Sequence, residues 1–160
     1  MAYSKILRRL REQKTNYKKR GTMLMGKREF ISVNISNQNT LVQILKPEIA
    51  GDKVIASAHS RNLLEKGWKG SRKSVPAAYL TGYIAGKKAI GKGSKGAILY
   101  TGTKKYTQRM AAALKGVIDA GLEVPANSET FPPDERINGE HLTVKNDISQ
   151  IKSSIDNEVK

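Results

Sequence analysis

Side chains that could perform catalysis are few in this sequence. It contains no cysteine, two histidines and 14 carboxylates. His59 and His141 have no second histidine or carboxylate at a metal-ligand spacing. Glu29, Glu48 and Asp52 show no pairing typical of a general acid and base, and a two-metal nuclease needs several converging acidic groups. We therefore expect no catalytic residue, no metal ligand and no thiolate or disulfide chemistry.

One glycine-rich stretch has the form of a cofactor motif. Gly91–Gly96 reads GKGSKG and fits the G-x-G-x-x-G pattern of dinucleotide-binding loops. That loop needs a strand before it and a helix after it, so that phosphate meets the helix N-terminus. Here a helical pattern precedes the glycines and an apolar strand follows. Gly86–Lys92 also nearly matches the phosphate-loop motif G-x-x-x-x-G-K-[ST], but Gly93 stands where that motif needs Ser or Thr. We therefore expect no nucleotide cofactor.

The abundant charged groups are lysine and arginine. They number 29 against 14 carboxylates, which gives a net charge of +15. Residues 1–28 hold ten basic and one acidic side chain, and residues 61–110 hold twelve and one. Residues 29–60 have a net charge of −1, and residues 111–160 have a net charge of −4. Two separate basic blocks are typical of a protein that lays two surfaces on a polyanion, and nucleic acid is the first candidate.

Two other classes of protein can carry a comparable excess of basic residues. A peripheral membrane protein needs a basic helix with a wide apolar face, but the N-terminal block offers few apolar residues. No apolar run approaches the roughly 18 residues of a membrane span, and we expect no secretory signal. An RNA-processing or modifying enzyme of similar α/β build would need converging carboxylates or a cofactor loop. We therefore predict a protein that is not an enzyme and has no membrane partner.

Alternating apolar and polar residues predict the sheet that positions these cations. Residues 29–36 (EFISVNIS) have the alternation of a half-buried strand, and residues 40–46 are its hairpin partner. Residues 53–58 and 97–100 predict a third and a fourth strand. The polar faces of the strands carry amides and hydroxyls, which either hydrogen-bond nucleic acid or face water.

Two longer helices are predicted between and after these strands. One covers residues 75–90 behind Ser74 as N-cap, and the other covers residues 107–120. The first contains Gly82 and Gly86, each costing about 0.5–1 kcal/mol relative to alanine, so its backbone must approach a sheet or another helix closely. With the third and fourth strands the helices predict a parallel βαβα unit beside the hairpin. The fold class is α/β, with a mixed sheet of α+β-like character.

The composition divides the chain into three parts. Residues 1–28 are predicted to be a basic RNA-binding arm with a short helix at 3–12. Residues 29–122 are the mixed α/β core, and residues 123–160 are an irregular, weakly helical C-terminal extension. Isoleucines spaced three to four residues apart in 146–160 predict a marginal amphipathic helix. This helix docks on its own domain, docks on a neighbouring protein, or frays.

A basic loop connects the third strand to the helix that starts near Pro76. It contains the only tryptophan of the sequence, Trp68. A loop that connects a strand to a following helix is a common place for a ligand to bind, so we expect a ligand here. Trp68 either stacks on a base or anchors the loop to the core. His59, just before the loop, donates either to RNA or to the backbone.

Six stretches of the chain resemble the universal L-eighteen family of large-subunit ribosomal proteins, in its archaeal form. The eukaryotic counterpart of that form is L-five. The similarity covers roughly residues 5–141 in order. The stretches are KTNYKKR (14–20), VNISNQNTLVQI (33–44), GDKVIASAHS (51–60), GWKGSRKSVPAAYLTGYIAGKKA (67–89), ALKGVIDAGLEVP (113–125) and PPDERINGEH (132–141).

The resemblance implies a cytoplasmic protein of the large ribosomal subunit with a mixed α/β core. It implies binding of 5S rRNA and attachment of that RNA to the large-subunit rRNA at the central protuberance. The implied partners include neighbouring large-subunit proteins, among them the L-five-type protein that also binds 5S rRNA. The RNA-binding residues expected in the arm and the loop are Arg8, Arg9, Arg11, Lys14, Tyr17, Lys18, Lys19, Arg20, Lys27, Arg28, Trp68, Lys69, Arg72 and Lys73.

Overall fold

The structure, a computed structural model, describes residues 6–48 and 51–158. The predicted helix at 3–12 therefore lies partly outside the described residues, as does the end of the predicted tail helix. Within the described residues, no helix is long and apolar enough to cross a membrane. The helices are α1 (Arg8–Arg11), α2 (Tyr17–Met25), a 3-10 helix (Ser60–Lys66), α3 (Val75–Gly91), α4 (Gln108–Asp119), a short 3-10 helix (Ser128–Thr130), α5 (Asp134–Asn138) and α6 (Ile148–Glu158).

The four predicted strands form one mixed sheet, which confirms the α/β fold class. They are β1 (Glu29–Ile35), β2 (Thr40–Lys46), β3 (Lys53–His59) and β4 (Ala97–Leu99). The strand order is β3-β2-β1-β4. Neighbouring strands are antiparallel except for β1 and β4, which run parallel.

The sheet order corrects the predicted position of the hairpin. We expected a βαβα unit beside the hairpin, but β1 and β2 lie between β3 and β4. The third and fourth strands do run in the same direction, and α3 connects them across two intervening strands. The short β2–β3 connection places β3 against β2, which leaves one edge of β1 free. β4 pairs with that edge, with Glu29 opposite Ala97. Residue patterns predict strands, but they do not determine which edges pair.

Helices α3 and α4 touch backbone to backbone. A Cβ atom added at Gly82 would fall well under 3.0 Å from the carbonyl oxygen of Ala113, and one added at Gly116 would meet the carbonyl oxygen of Tyr79 as closely. The close approach predicted from the glycines of α3 is confirmed, and the partner is α4. This contact holds α4 beside α3, so that α3 packs on β2 and β3 while α4 reaches β1. The core side chains of this sheet face include Ile31, Val33, Val42 and Ile44.

The tail helix α6 docks on its own domain. Ile148, Ile151 and Ile155 are buried against the core. The hydroxyl of Tyr83 on α3 donates to Asp156 Oδ1 at 2.8 Å. Of the three fates left open by the sequence, the structure therefore selects docking within the domain.

Two tyrosines of α3 form the surface on which α6 rests. Tyr79 and Tyr83 are 2% and 6% exposed, and the Lys152 ammonium lies 4.7 Å and 5.3 Å from their ring centroids. The hydroxyl of Tyr79 donates to Asp119 Oδ2 at 2.7 Å, and burial raises the pKa of Tyr79 above its ordinary value. Both rings thus belong to the core rather than to a base-stacking surface.

The glycine contact predicts the effect of one methyl group. We expect Gly82→Ala to lower the free energy of unfolding by about 1–3 kcal/mol or more, because the added atom overlaps the backbone of α4. Gly91→Ala is the matched control in the same helix, where an added Cβ meets nothing within 4 Å. It should be neutral or slightly stabilising. Urea unfolding measures both, and equal stabilities would contradict the close packing.

The α6 contact predicts a pH dependence. The pKa of Asp156 lies below its ordinary value of 3.8, because the Lys87 ammonium and the Tyr83 hydroxyl bind the carboxylate. A carboxyl group whose pKa is lowered by folding stabilises the fold above its unfolded pKa, and this stabilisation is lost as the pH falls. Asp156→Asn should therefore lower the urea midpoint at neutral pH, and its difference from the wild type should shrink as the pH falls below 3.8 and vanish below the lowered pKa of Asp156. A constant difference at all pH values would contradict this assignment.

Candidate nucleic-acid interface

The basic arm lies against the sheet face that α3 does not cover. Successive side chains of a strand point to opposite faces, so Phe30 points away from the core residue Ile31. The Phe30 ring stacks on Tyr100 with centroids 5.5 Å apart, and both are reached by Arg20 from α2. One sheet face therefore builds the core, and the other holds the arm.

Arg20 fastens α2 to the sheet. Its guanidinium donates to Asp52 Oδ2 at 2.9 Å and also bonds Oδ1, and it lies 5.7 Å from the Phe30 centroid. The hydrogen bonds to Asp52 raise the pKa of Arg20. The guanidinium is thus held by a bidentate carboxylate pair and an aromatic surface, a geometry that arginine forms and lysine does not. Lys19 Nζ adds a second attachment by donating to Thr101 Oγ1 at 2.8 Å.

Helix α2 was not predicted from the sequence. Its N-cap is Asn16, whose side-chain oxygen accepts from the Lys19 amide at 3.0 Å. No residue of α2 is fully buried, so the run lacks the apolar periodicity that reveals most helices. The sequence signal that could have predicted α2 is Asn16, a favoured N-cap residue followed by nine residues without proline.

Most arm residues expected to bind RNA are exposed. Arg8 and Lys14 share the carboxylate of Glu12, each at 2.7 Å, and both lower the pKa of Glu12. Arg9 Nε donates to Thr15 Oγ1 at 2.9 Å. Arg20 is half-buried, and the exposed members are Arg8, Arg9, Arg11, Lys14, Tyr17, Lys18, Lys19, Lys27 and Arg28.

The loop between β3 and α3 is built around a buried tryptophan. Trp68 is 3% exposed and belongs to the core cluster, so its ring anchors the loop and is not available for base stacking in this conformation. Asn146 accepts from the Lys69 amide at 2.9 Å, which ties the loop to the C-terminal segment. Lys69 and Lys73 are exposed and Arg72 is half-buried. Three of the four loop residues that we predicted thus face solvent at least in part.

The arm and the loop lie at opposite ends of the sheet. The arm contacts Phe30 and Asp52, where β1 and β3 begin. The loop meets the other end, where the Thr40 hydroxyl lies 3.5 Å from the Arg72 carbonyl oxygen. Thr40 is the strand partner of Ile35, the last residue of β1. The structure therefore does not bring the two predicted groups into one cluster.

An uncharged polar row crosses the sheet face between them. Ser32, Gln43 and Ser57 are aligned in register across β1, β2 and β3. Asn34, two residues beyond Ser32, accepts from the Lys104 ammonium. Amides and hydroxyls in this position can donate to or accept from RNA without adding charge.

His59 has a structural role. Its Nδ1 accepts from the Arg61 amide at 3.1 Å and so caps the 3-10 helix that follows β3. Within residues 6–48 and 51–158, no group of three or more His, Asp or Glu side chains could hold a metal ion.

Comparison with known proteins shows one consistent similarity. Residues 2–111 match the family described as "Ribosomal large subunit proteins 60S L5, and 50S L18". The chain is 48% identical over 143 residues to large ribosomal subunit protein uL18 of Aeropyrum pernix, covering 88% of this chain and 67% of that protein. It is 40% identical over 160 residues to uL18 of Methanosphaera stadtmanae, covering 99% and 80%.

The Arg20–Asp52 pair predicts how firmly the arm is held. In Asp52→Asn, amides of α2 should exchange with solvent about five- to tenfold faster, because losing a charge-assisted pair at this exposure costs about 1–1.5 kcal/mol. Glu12→Gln is the control, since it removes a carboxylate that pairs only within the arm. Hydrogen exchange measured by mass spectrometry gives the comparison. Unchanged protection of α2 in Asp52→Asn would show that the pair does not hold the arm.

Proposed function

This chain belongs to the family of ribosomal large subunit proteins 60S L5 and 50S L18, and from that membership we propose that it binds 5S rRNA. Its role is structural, as a component of the large ribosomal subunit. The proposal includes attachment of 5S rRNA to the large-subunit rRNA at the central protuberance. The neighbouring proteins would include the L-five-type protein that also binds 5S rRNA.

The observation that carries the proposal is the docked basic arm beside an uncharged polar sheet face. Arg20 is engaged with Asp52, but Arg11, Lys18 and Lys27 are exposed and make no ion pair among the described residues. RNA phosphates are met by such cations with release of condensed counterions, a favourable term that does not depend on sequence. The polar row of the sheet then contacts sugars or base edges of folded RNA.

Different residues of the predicted set would have different roles. The exposed cations of the arm and of the loop neutralise phosphates at two ends of the sheet, which spreads contacts along the RNA. Arg20 positions the arm through its pair with Asp52, and Trp68 positions the loop from within the core. We therefore assign RNA contact to the exposed cations, and support of those cations to Arg20 and Trp68.

Salt dependence of binding to a 5S rRNA transcript tests the proposal. The logarithm of the binding constant should fall with the logarithm of salt concentration by about 0.7–0.9 for each phosphate contact. Arg11→Gln/Lys18→Gln should reduce that slope by roughly 1.4–1.8, because it removes two exposed arm cations. Lys88→Gln/Lys92→Gln removes the same charge at the end of α3 and should leave the slope nearly unchanged.

Three results would count against the proposal. Binding of 5S rRNA that does not respond to salt would contradict the electrostatic mechanism. Equal losses in the arm variant and the control would show that only overall charge matters. Equal affinity for 5S rRNA and for an unrelated folded RNA of the same length would contradict recognition of 5S rRNA by shape.

A further inference from the structure

A cationic groove opens at the end of the sheet where β1 ends. It lies between the loop that precedes α4 and the segment that contains α5. Its walls include Ile35, Val75 and four basic side chains, Lys104, Lys105, Arg109 and Arg136. None of the predicted RNA-binding residues lines this groove, which opens at the same end of the sheet as the loop between β3 and α3.

The cations of this groove have no carboxylate partner within residues 6–48 and 51–158. No carboxylate of the described residues lines the groove, and none of its four basic side chains forms an ion pair within that part of the chain. Lys104 donates to the amide oxygen of Asn34, and Arg136 Nη1 donates to Gln108 Oε1 at 2.5 Å. These partners orient the cations and leave their charge uncompensated.

One carboxylate of α5, close in sequence to Arg136, is directed toward a lysine of α4. Asp134 lies two residues before Arg136, but it accepts from Lys115 at 2.5 Å, and this hydrogen bond lowers the pKa of Asp134. Arg109 stands in the first turn of α4, where no acidic residue is present. A cation at a helix N-terminus is unfavourable, because that end already carries partial positive charge. Four clustered cations in this position destabilise the free protein unless an anion binds there.

The loop that precedes α4 connects the arm to the groove. Lys19 of α2 donates to Thr101, and Lys104 follows three residues later in the same loop. A strand of RNA that follows the arm therefore reaches the groove without crossing an acidic region of this loop. A chain of phosphates matches this row of cations better than a single anion does.

We propose that the groove formed by Lys104, Lys105, Arg109 and Arg136 is a second binding site for the phosphate backbone of RNA. The proposal rests on the proposed function, because it assumes an RNA partner. Arg109 and Arg136 bind phosphate from the two walls, and the lysines extend the contact toward the arm. The site joins the end of the second basic block to the C-terminal segment.

The test compares two double variants of the full chain. Lys105→Gln/Arg109→Gln removes two groove charges that have no described hydrogen-bond partner. Lys88→Gln/Lys92→Gln removes two charges from another groove, which Glu158 also lines. The probes are a 5S rRNA transcript and deproteinised large-subunit rRNA, titrated across a range of salt concentrations.

The groove variant should bind at least one probe about tenfold more weakly than the control, with a salt slope lower by roughly 1.4–1.8. Its melting temperature should equal or exceed that of the wild type, because repulsion among the cations is relieved. Arg136→Gln should reproduce about half of the change in slope from the other wall.

The outcomes separate the two proposals. If the wild type binds 5S rRNA and the groove variant binds both probes like the control, the groove is not an RNA site and the proposed function stands. If the wild type fails to bind 5S rRNA, the proposed function fails. A selective loss on the large-subunit rRNA would then still support the groove, and no loss there would overturn it as well.

Discussion

The contact between α3 and α4 is the constraint on which the rest of the structure depends. At Gly82 and Gly116 the two helices approach so closely that no side chain fits between their backbones. Small residues along α3 allow it to be buried on almost every side, against the sheet, α4 and α6. With both long helices on one face of the sheet, the opposite face is left for the arm.

This division separates apolar packing from charge. The side chains of Ile31, Val33, Val42 and Ile44 build the core on one face, whereas the basic arm is attached to the other face through Arg20. A net charge of +15 opposes compaction through self-repulsion. The few carboxylates reduce it where they pair, as Asp52 does with Arg20 and Asp156 with Lys87. Elsewhere the charge remains available for a polyanion.

Local patterns predicted much of the fold and part of the site. The alternation in β1 to β3 and the cap at Ser74 predicted elements that the structure contains. Helix α2 was missed because its residues are not buried, and the place of β4 was missed because strand patterns do not specify neighbours. Exposed arm cations were recognisable by residue type. The groove was not, because Arg136 is distant in sequence from Lys104, and only folding places both in one groove.

The sequence by itself determined which segments become strands or long helices and that the partner is a polyanion, because periodicity and charge are local properties of the chain. Tertiary structure decided three matters that depend on contacts between distant residues. Trp68 became a buried anchor, α6 docked on the tyrosines of α3, and Arg20 became tied to Asp52. Arg20 and Asp52, and Tyr83 and Asp156, are distant in sequence, and the burial of Trp68 depends on the packing of the whole core. Neither residue spacing nor composition encodes such contacts.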